Sequence, residues 1–214
     1  MKDIAIYGAG GLGREIACII KEINRKSQTW NLAGFFDDGI PAGRRIDYGV
    51  LLGGIDALNG WKGELSVIFG IASPAAVSSL AGKITKEDIS FPNIISPDVT
   101  FLDCESIRMG KGNYISSRTV ISCNVSIGNF NSIGVCSTLG HDCTLGDFNV
   151  LMPSVQVCGN VEVGQRCFLG INSVVLQQKK MGNNVTLGAG SILMANADDD
   201  RTYFGNPARP IMKK

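Results

Sequence analysis

The chain has 214 residues, 44% of them hydrophobic and only 18% charged, and its 20 Lys+Arg against 19 Asp+Glu leave a formal charge of +1. That length buries a core without disulfides, and the balanced charge argues against nucleic acid or an anionic membrane surface as a partner. Seven cysteines (Cys18, Cys104, Cys123, Cys136, Cys143, Cys158 and Cys167) contain no CxxC pair and have one histidine for company, which points to reduced thiols, a cytoplasmic setting and no metal site. No apolar run reaches the length of a membrane span.

In chain order, an apolar strand over Asp3 to Tyr7 runs into Gly8-Ala9-Gly10-Gly11-Leu12-Gly13, and Arg14 to Ile23 reads as an amphipathic helix. A second strand, Leu32 to Phe36, ends in Asp37-Asp38. This is a GxGxxG pattern with an acidic residue about two dozen positions later, the mark of dinucleotide binding. Only two more strands, Val50 to Leu52 and Leu65 to Gly70, and one helix, Pro74 to Lys86, fit before the pattern changes, so half of a doubly wound sheet is expected, with a crevice for one nucleotide. A glycine loop opening a helix presents backbone N–H groups and a positive dipole end to an anion, and carboxylates on the neighbouring strand can accept hydrogen bonds from a ribose or a base. A nucleotide or nucleotide-sugar site is favoured over a turn that merely packs helix on strand. Phe91 to Pro97 is the join, giving a small α/β unit over 1–92 and a second unit over 93–214.

From residue 109 onward an aliphatic residue recurs every six positions: Met109, Ile115, Ile121, Ile127, Ile133, Leu139, Leu145, Leu151, Val157, Val163, Leu169, Val175, Met181, Leu187 and Leu193. The position after it is often Gly, and the fifth position is usually small. A period of six suits a parallel β-helix, each hexad a short strand plus a corner, with aliphatic ladders inside and glycine admitting the corner geometry. Ninety residues make about five three-sided coils, roughly 24 Å tall. Lys179 stands where a small inward residue is expected, which predicts a bulge or outward turn over 177–180.

His141 follows Leu139-Gly140 and therefore sits on a corner, outside the inner ladder, next to Asp142. An imidazole is suited to take a proton near neutrality, and an adjacent carboxylate can hold its tautomer. Cys143 occupies an inward slot and reads as a buried, inert thiol.

The hexad array, Gly140-His141-Asp142-Cys143, the Gly8 to Gly13 loop with Asp37-Asp38, and Gly205-Asn206-Pro207-Ala208-Arg209 together resemble the bacterial sugar O-acyltransferase family, which includes sialic acid O-acetyltransferases and UDP-amino-sugar N-acetyltransferases of surface-glycan synthesis. The resemblance covers almost the whole chain. It implies an α/β amino-terminal half-Rossmann-like domain followed by a left-handed parallel β-helix, in a homotrimer with acetyl-CoA between neighbouring prisms. It implies an acetyltransferase acting on an amine or hydroxyl of a sugar or nucleotide sugar, with His141 as general base and Asp142 assisting. Nucleotide-sugar contacts would fall on Gly10, Gly11, Leu12, Asp37, Asp38 and Gly70, and CoA contacts on Val150, Gly159, Ile171 and Ala189. Leu12 departs from the amino-sugar N-acetyltransferases, which tend to carry a histidine there, and leaves the acceptor open. Lys179, Lys180, Arg209, Lys213 and Lys214 could meet the 3′-phosphate of CoA, but such residues are more often only a solvated rim, and no site is assigned to them.

Other classes fit less well. A γ-type carbonic anhydrase needs three histidines around its metal, and this chain has one. A nicotinamide-dependent oxidoreductase needs the half-sheet whose place the hexads occupy. A non-catalytic nucleotide-sugar-binding scaffold, or an acyltransferase acting on a non-sugar acceptor, remains as the alternative.

Overall fold

A computed structural model describes residues 1–211, which form two compact units, 1–97 and 98–211; Lys213 and Lys214 lie outside the described residues.

The first unit is a sheet of six strands with three helices. Strand β1 (Lys2–Tyr7) is central and parallel to both β2 (Trp30–Phe36) and β5 (Leu65–Phe69). The sheet is extended on one side by β4 (Gly49–Gly53), itself paired antiparallel with β3 (Arg45–Ile46), and on the other by β6 (Ile89–Ser90). Helices α1 (Gly11–Lys26), α2 (Ile55–Asn59) and α3 (Pro74–Lys83) form the connections. Ile4, Ile6, Phe35, Phe36 and Val67 are wholly buried, as expected of strands covered on both faces. Ser73 caps α3, accepting from the Ala76 N–H at 3.3 Å, and Pro74 opens the helix where its missing N–H costs nothing. The sequence expectation located the four principal strands and both longer helices; it ran α3 three residues too far and missed α2, β3 and β6, which are too short to show a period.

The second unit is a left-handed β-helix. Its strands are two residues long and pair in parallel with the strand eighteen residues away, so Ile115, Ile133, Leu151, Leu169 and Leu187 stack on one side, and Ile121, Leu139, Val157, Val175 and Leu193 on another. The third stack runs Met109, Ile127, Leu145, Val163, Met181. All of these ladder residues are buried except Met109, at the open first coil. An antiparallel pair, Thr202–Gly205 with Ala208–Ile211, closes the far end.

Two expectations about the corners need correction. The left-handed residue of each corner is the fourth of the hexad, not the glycine at the second. Arg118, Asn124, Phe130, Cys136, Asp142, Phe148 and their successors through Asn184 hold φ between 55° and 61°. Most such corners are steadied by the coil before them, as when the Asp142 N–H donates to Cys123 O at 3.0 Å and the Asn160 N–H to His141 O at 2.8 Å. The second-position glycines answer to crowding. A Cβ on Gly140 would lie 2.6 Å from Gly159 N, and one on Gly134 would lie 2.7 Å from Pro153 N. Coils approach each other at these points too closely for a side chain.

The bulge expected over 177–180 is also absent. Gln178 keeps the common φ of 60°, its N–H donates to Gly159 O at 3.0 Å, and Lys180 pairs in register with Glu162. Lys179 is only half-buried, so its long stem reaches past the rim of the prism while the backbone stays regular.

Candidate active site

In the second unit the chemistry-bearing groups meet on one corner. The strand Thr138–Leu139 ends at Gly140, and the left-handed turn at Asp142 throws His141 and Asp142 outward together. The His141 Nδ1 lies 2.7 Å from Asp142 Oδ2, and the two side chains are 57% and 43% exposed, so the ring reaches solvent as the sequence implied. Asp142 Oδ1 accepts from Asn124 Nδ2 at 3.0 Å. The hydrogen bond with His141, and after it that from Asn124, hold the Asp142 carboxyl below its ordinary range. An ionised carboxylate has no proton to give, so with a neutral ring the hydrogen resides on Nδ1 and the lone pair on Nε2. No hydrogen bond reaches Nε2 among the described residues. Gly159 lies under the ring, where a Cβ would meet Nε2 and sit 2.6 Å from Cε1.

Cys143 is buried, its Sγ donates to Cys158 O at 2.9 Å, and burial pushes its thiol up. It is an inert wall residue, not a nucleophile.

The other expected residues of this unit are spread out. Ile171 is half exposed and Ala189 exposed, one coil apart on a single corner. Val150 is 3% exposed with its N–H committed to Cys167 O at 2.9 Å, so within one chain it offers neither side chain nor donor outward. A groove of 680 Å³ along Thr144, Glu162, Lys180, Asn196 and Asp198 does not include His141 and pairs no base with a nucleophile.

In the first unit the glycine loop is built for close approach. Gly8 takes φ 111°, and a Cβ on it would lie 2.7 Å from Gly70 O. Gly70 is buried against Gly13, with its would-be Cβ 2.7 Å from Gly13 Cα, so its visible work is to let α1 settle onto the end of β5. Gly10 and Gly11, in contrast, face open space. Gly10 caps α1 without a side-chain partner and the first turn carries no acid, which leaves the amino-terminal N–H groups available to an anion. Leu12 is half-buried in that turn.

Of the two carboxylates that follow β2, Asp37 holds this loop and Asp38 ties β1 to α2. Asp37 accepts from the Ala9 and Gly39 N–H groups, both at 2.9 Å. Asp38 accepts from the Tyr7 hydroxyl at 2.6 Å and the Ile55 N–H at 2.9 Å, and the Tyr7 bond, first, and the Ile55 bond hold its carboxyl below the ordinary range. Burial and the Asp38 carboxylate together push the Tyr7 phenol upward. Sequence reasoning missed Tyr7, whose signal was its place at the end of β1, and Asn124, whose signal was its distance of one coil from Asp142. No group of His, Cys, Asp and Glu among the described residues could hold a metal, and none of their helices is long and apolar enough to cross a membrane.

Residues 3–84 match the PglD N-terminal domain. Over 100% of its length the chain is 26% identical to a GDP-perosamine N-acetyltransferase of Escherichia coli O157:H7, with 98% of that protein covered. The chain is homologous to GDP-perosamine N-acetyltransferase. Its fold agrees: a histidine-to-asparagine variant of perosamine N-acetyltransferase from Caulobacter crescentus, in complex with CoA and GDP-perosamine, superposes with a TM-score of 0.91 at 23% identity, covering 100% of this chain and 98% of that one. The acetyltransferase domain of PglB from Neisseria gonorrhoeae FA1090, in complex with acetyl coenzyme A, gives a TM-score of 0.87 at 21% identity, covering 98% and 99%. A match to the PglD N-terminal domain and a hexapeptide-repeat coil in one chain agree with the sugar acetyltransferase resemblance read from the sequence.

Proposed function

We propose that this chain transfers the acetyl group of acetyl-CoA to the amine of a nucleotide-linked amino sugar, with His141 as general base. The carrying observation is the exposed His141–Asp142 pair, in a chain homologous along its whole length to a GDP-perosamine N-acetyltransferase. That relative's name favours nitrogen over oxygen as the acceptor atom.

The neutral amine of the acceptor attacks the thioester carbonyl carbon while Nε2 of His141 takes the proton that the forming C–N bond makes acidic. Collapse of the tetrahedral adduct breaks the C–S bond, and the leaving thiolate takes up the proton to depart as CoA. No covalent enzyme intermediate is needed. General-base assistance is worth roughly 10² to 10⁴ in rate, with positioning of two bound substrates adding more. Asp142 fixes the ring through Nδ1 and favours the imidazolium that forms.

On this reading Gly10 and Gly11 with the amino-terminal turn of α1 hold the nucleotide phosphates, with Leu12, Asp37, Asp38 and Gly70 shaping that site. Ile171 and Ala189 are the better placed CoA contacts in a single chain. Val150 would contribute only through its carbonyl or in an assembly, and Gly159 chiefly by leaving room for His141. A homotrimer and a cytoplasmic setting complete the proposal.

Release of CoA thiol from acetyl-CoA, followed with GDP- and UDP-linked amino sugars beside sugars that carry only hydroxyls, is the test. Acceptor-dependent release confined to the amines is expected. Nucleotide-sugar binding with no thiol release for any acceptor would leave the chain a binding scaffold.

A further inference from the structure

Resting on the reading of His141 as the base, we infer that Asn124 is a positioning residue for the reaction, holding Asp142 in the plane from which it grips His141. Asn124 and Asp142 are both fourth residues of their hexads, eighteen apart, so the coil places one directly over the other. The Asn124 Nδ2 donates to Asp142 Oδ1 at 3.0 Å while Asp142 Oδ2 engages His141 Nδ1 at 2.7 Å, so each carboxylate oxygen has its own partner. A carboxylate bonded through one oxygen can still rotate about its terminal torsion, which has broad wells; bonded through both, it cannot. Asn124 is itself anchored, because its N–H donates to Ser106 Oγ at 2.8 Å and Ser106 Oγ donates onward to Asp103 O at 3.1 Å. The order thus runs from the second unit's first coil through Ser106, Asn124 and Asp142 to a ring whose Nε2 alone stays unengaged. The groups facing this carboxylate are His141 and Asn124, with the Asp142 N–H itself spent on Cys123 O, and among the described residues no Lys or Arg does the same work.

The backbone dictates which variants are informative. Asn124 has φ 56°, a region that Ala or Ser occupies with strain but Gly and Asp occupy readily. Asn124→Gly removes the side chain, and Asn124→Asp keeps its shape while replacing the donor by a second negative charge. Both are expected to keep the melting temperature and both KM values near wild type while kcat falls about tenfold, part of the roughly 10² to 10⁴ that a general base supplies. The acid limb of the kcat/KM profile moves to higher pH, because a carboxylate relieved of its amide donor binds a proton, and favours an imidazolium, more strongly. The displacement is larger for Asn124→Asp than for Asn124→Gly. His141→Asn run in parallel separates the two readings: it should cost about 10² or more in kcat, and adding Asn124→Gly to it should cost nothing further. Folded Asn124 variants with unchanged kcat and an unmoved acid limb would overturn the role of Asn124 alone, and near-normal turnover in His141→Asn would overturn both.

Discussion

The imidazole of His141 rests on the bare backbone of Gly159, eighteen residues further along the chain: a Cβ there would lie 2.6 Å from Cε1 and 3.0 Å from Cδ2, and nearer still to Nε2. The obstacle is the end of an exposed side chain and not a neighbouring backbone, so Gly159→Ala should disturb the ring far more than the fold. Turnover is expected to drop tenfold or more, as about 1 Å of misplacement at a reacting group can cost 10²-fold, while the thermal midpoint moves little. Parallel kinetics and melting curves check this, and a variant that melts early and turns over normally would contradict it.

Asp142→Asn makes a prediction of opposite sign to the Asn124 variants. The native carboxyl is held below its usual range by His141 and Asn124, so it stays ionised wherever an imidazole titrates. A neutral amide no longer favours the imidazolium, so the acid limb of kcat/KM should move to lower pH, with kcat down about tenfold for loss of orientation. Asn accepts the φ of 58° at this corner, which keeps the comparison free of backbone strain.

Inside the coil, Asn113, Asn131 and Asn149 form a buried ladder in which each Oδ1 accepts the N–H of the residue eighteen later, at 2.9 Å from Asn131 and 2.8 Å from Asn149 and Cys167. Asn131→Leu would orphan the Asn149 N–H in an apolar interior and force a bulkier side chain into its layer. A loss of about 2 to 4 kcal/mol is expected in chemical denaturation. A loss under 1 kcal/mol would show that the ladder adds no net stability.

Tyr7→Phe tests the first unit. The Tyr7 hydroxyl is the largest cause of the lowered Asp38 carboxyl. A depressed carboxylate contributes stability above its unfolded pKa of about 3.9 and loses it as pH falls through the folded value. Because Asp38 is exposed, solvent screens the effect, and about 1 kcal/mol at pH 7 is expected. The difference between the two proteins should shrink toward zero below pH 3, followed by urea denaturation across that range.

The coil was legible because its interior tolerates little besides aliphatic side chains at fixed intervals, and Ile115 through Leu193 carry that demand openly. The outward placement of His141 followed from the same count, since a third-position residue lies off the inner ladder, and Asp142 follows it at the corner. What the sequence concealed was why a residue type stands where it does. Gly140 reads as a turn residue yet is set by the nearness of Gly159 N, and nothing in the six-residue count marks Asn131 as a rung of a hydrogen-bond ladder. Lys179 reads as an interruption in the sequence, yet a long side chain need not fit wholly within the prism. In the first unit the loop glycines were visible as a group, but only contact geometry divides Gly10 and Gly11, which are open, from Gly70, which is packed.

The eighteen-residue pitch of the coil has a bearing on how such proteins are searched. Asn124, Asp142 and Asn160, like Cys123, His141 and Gly159, are consecutive rungs in space but never adjacent letters in the text. A contiguous string centred on the histidine captures one rung and overlooks those that steady it. Comb-shaped queries, with teeth set one full circuit apart, are the natural way to compare proteins of this architecture and to decide which silent positions travel with the histidine.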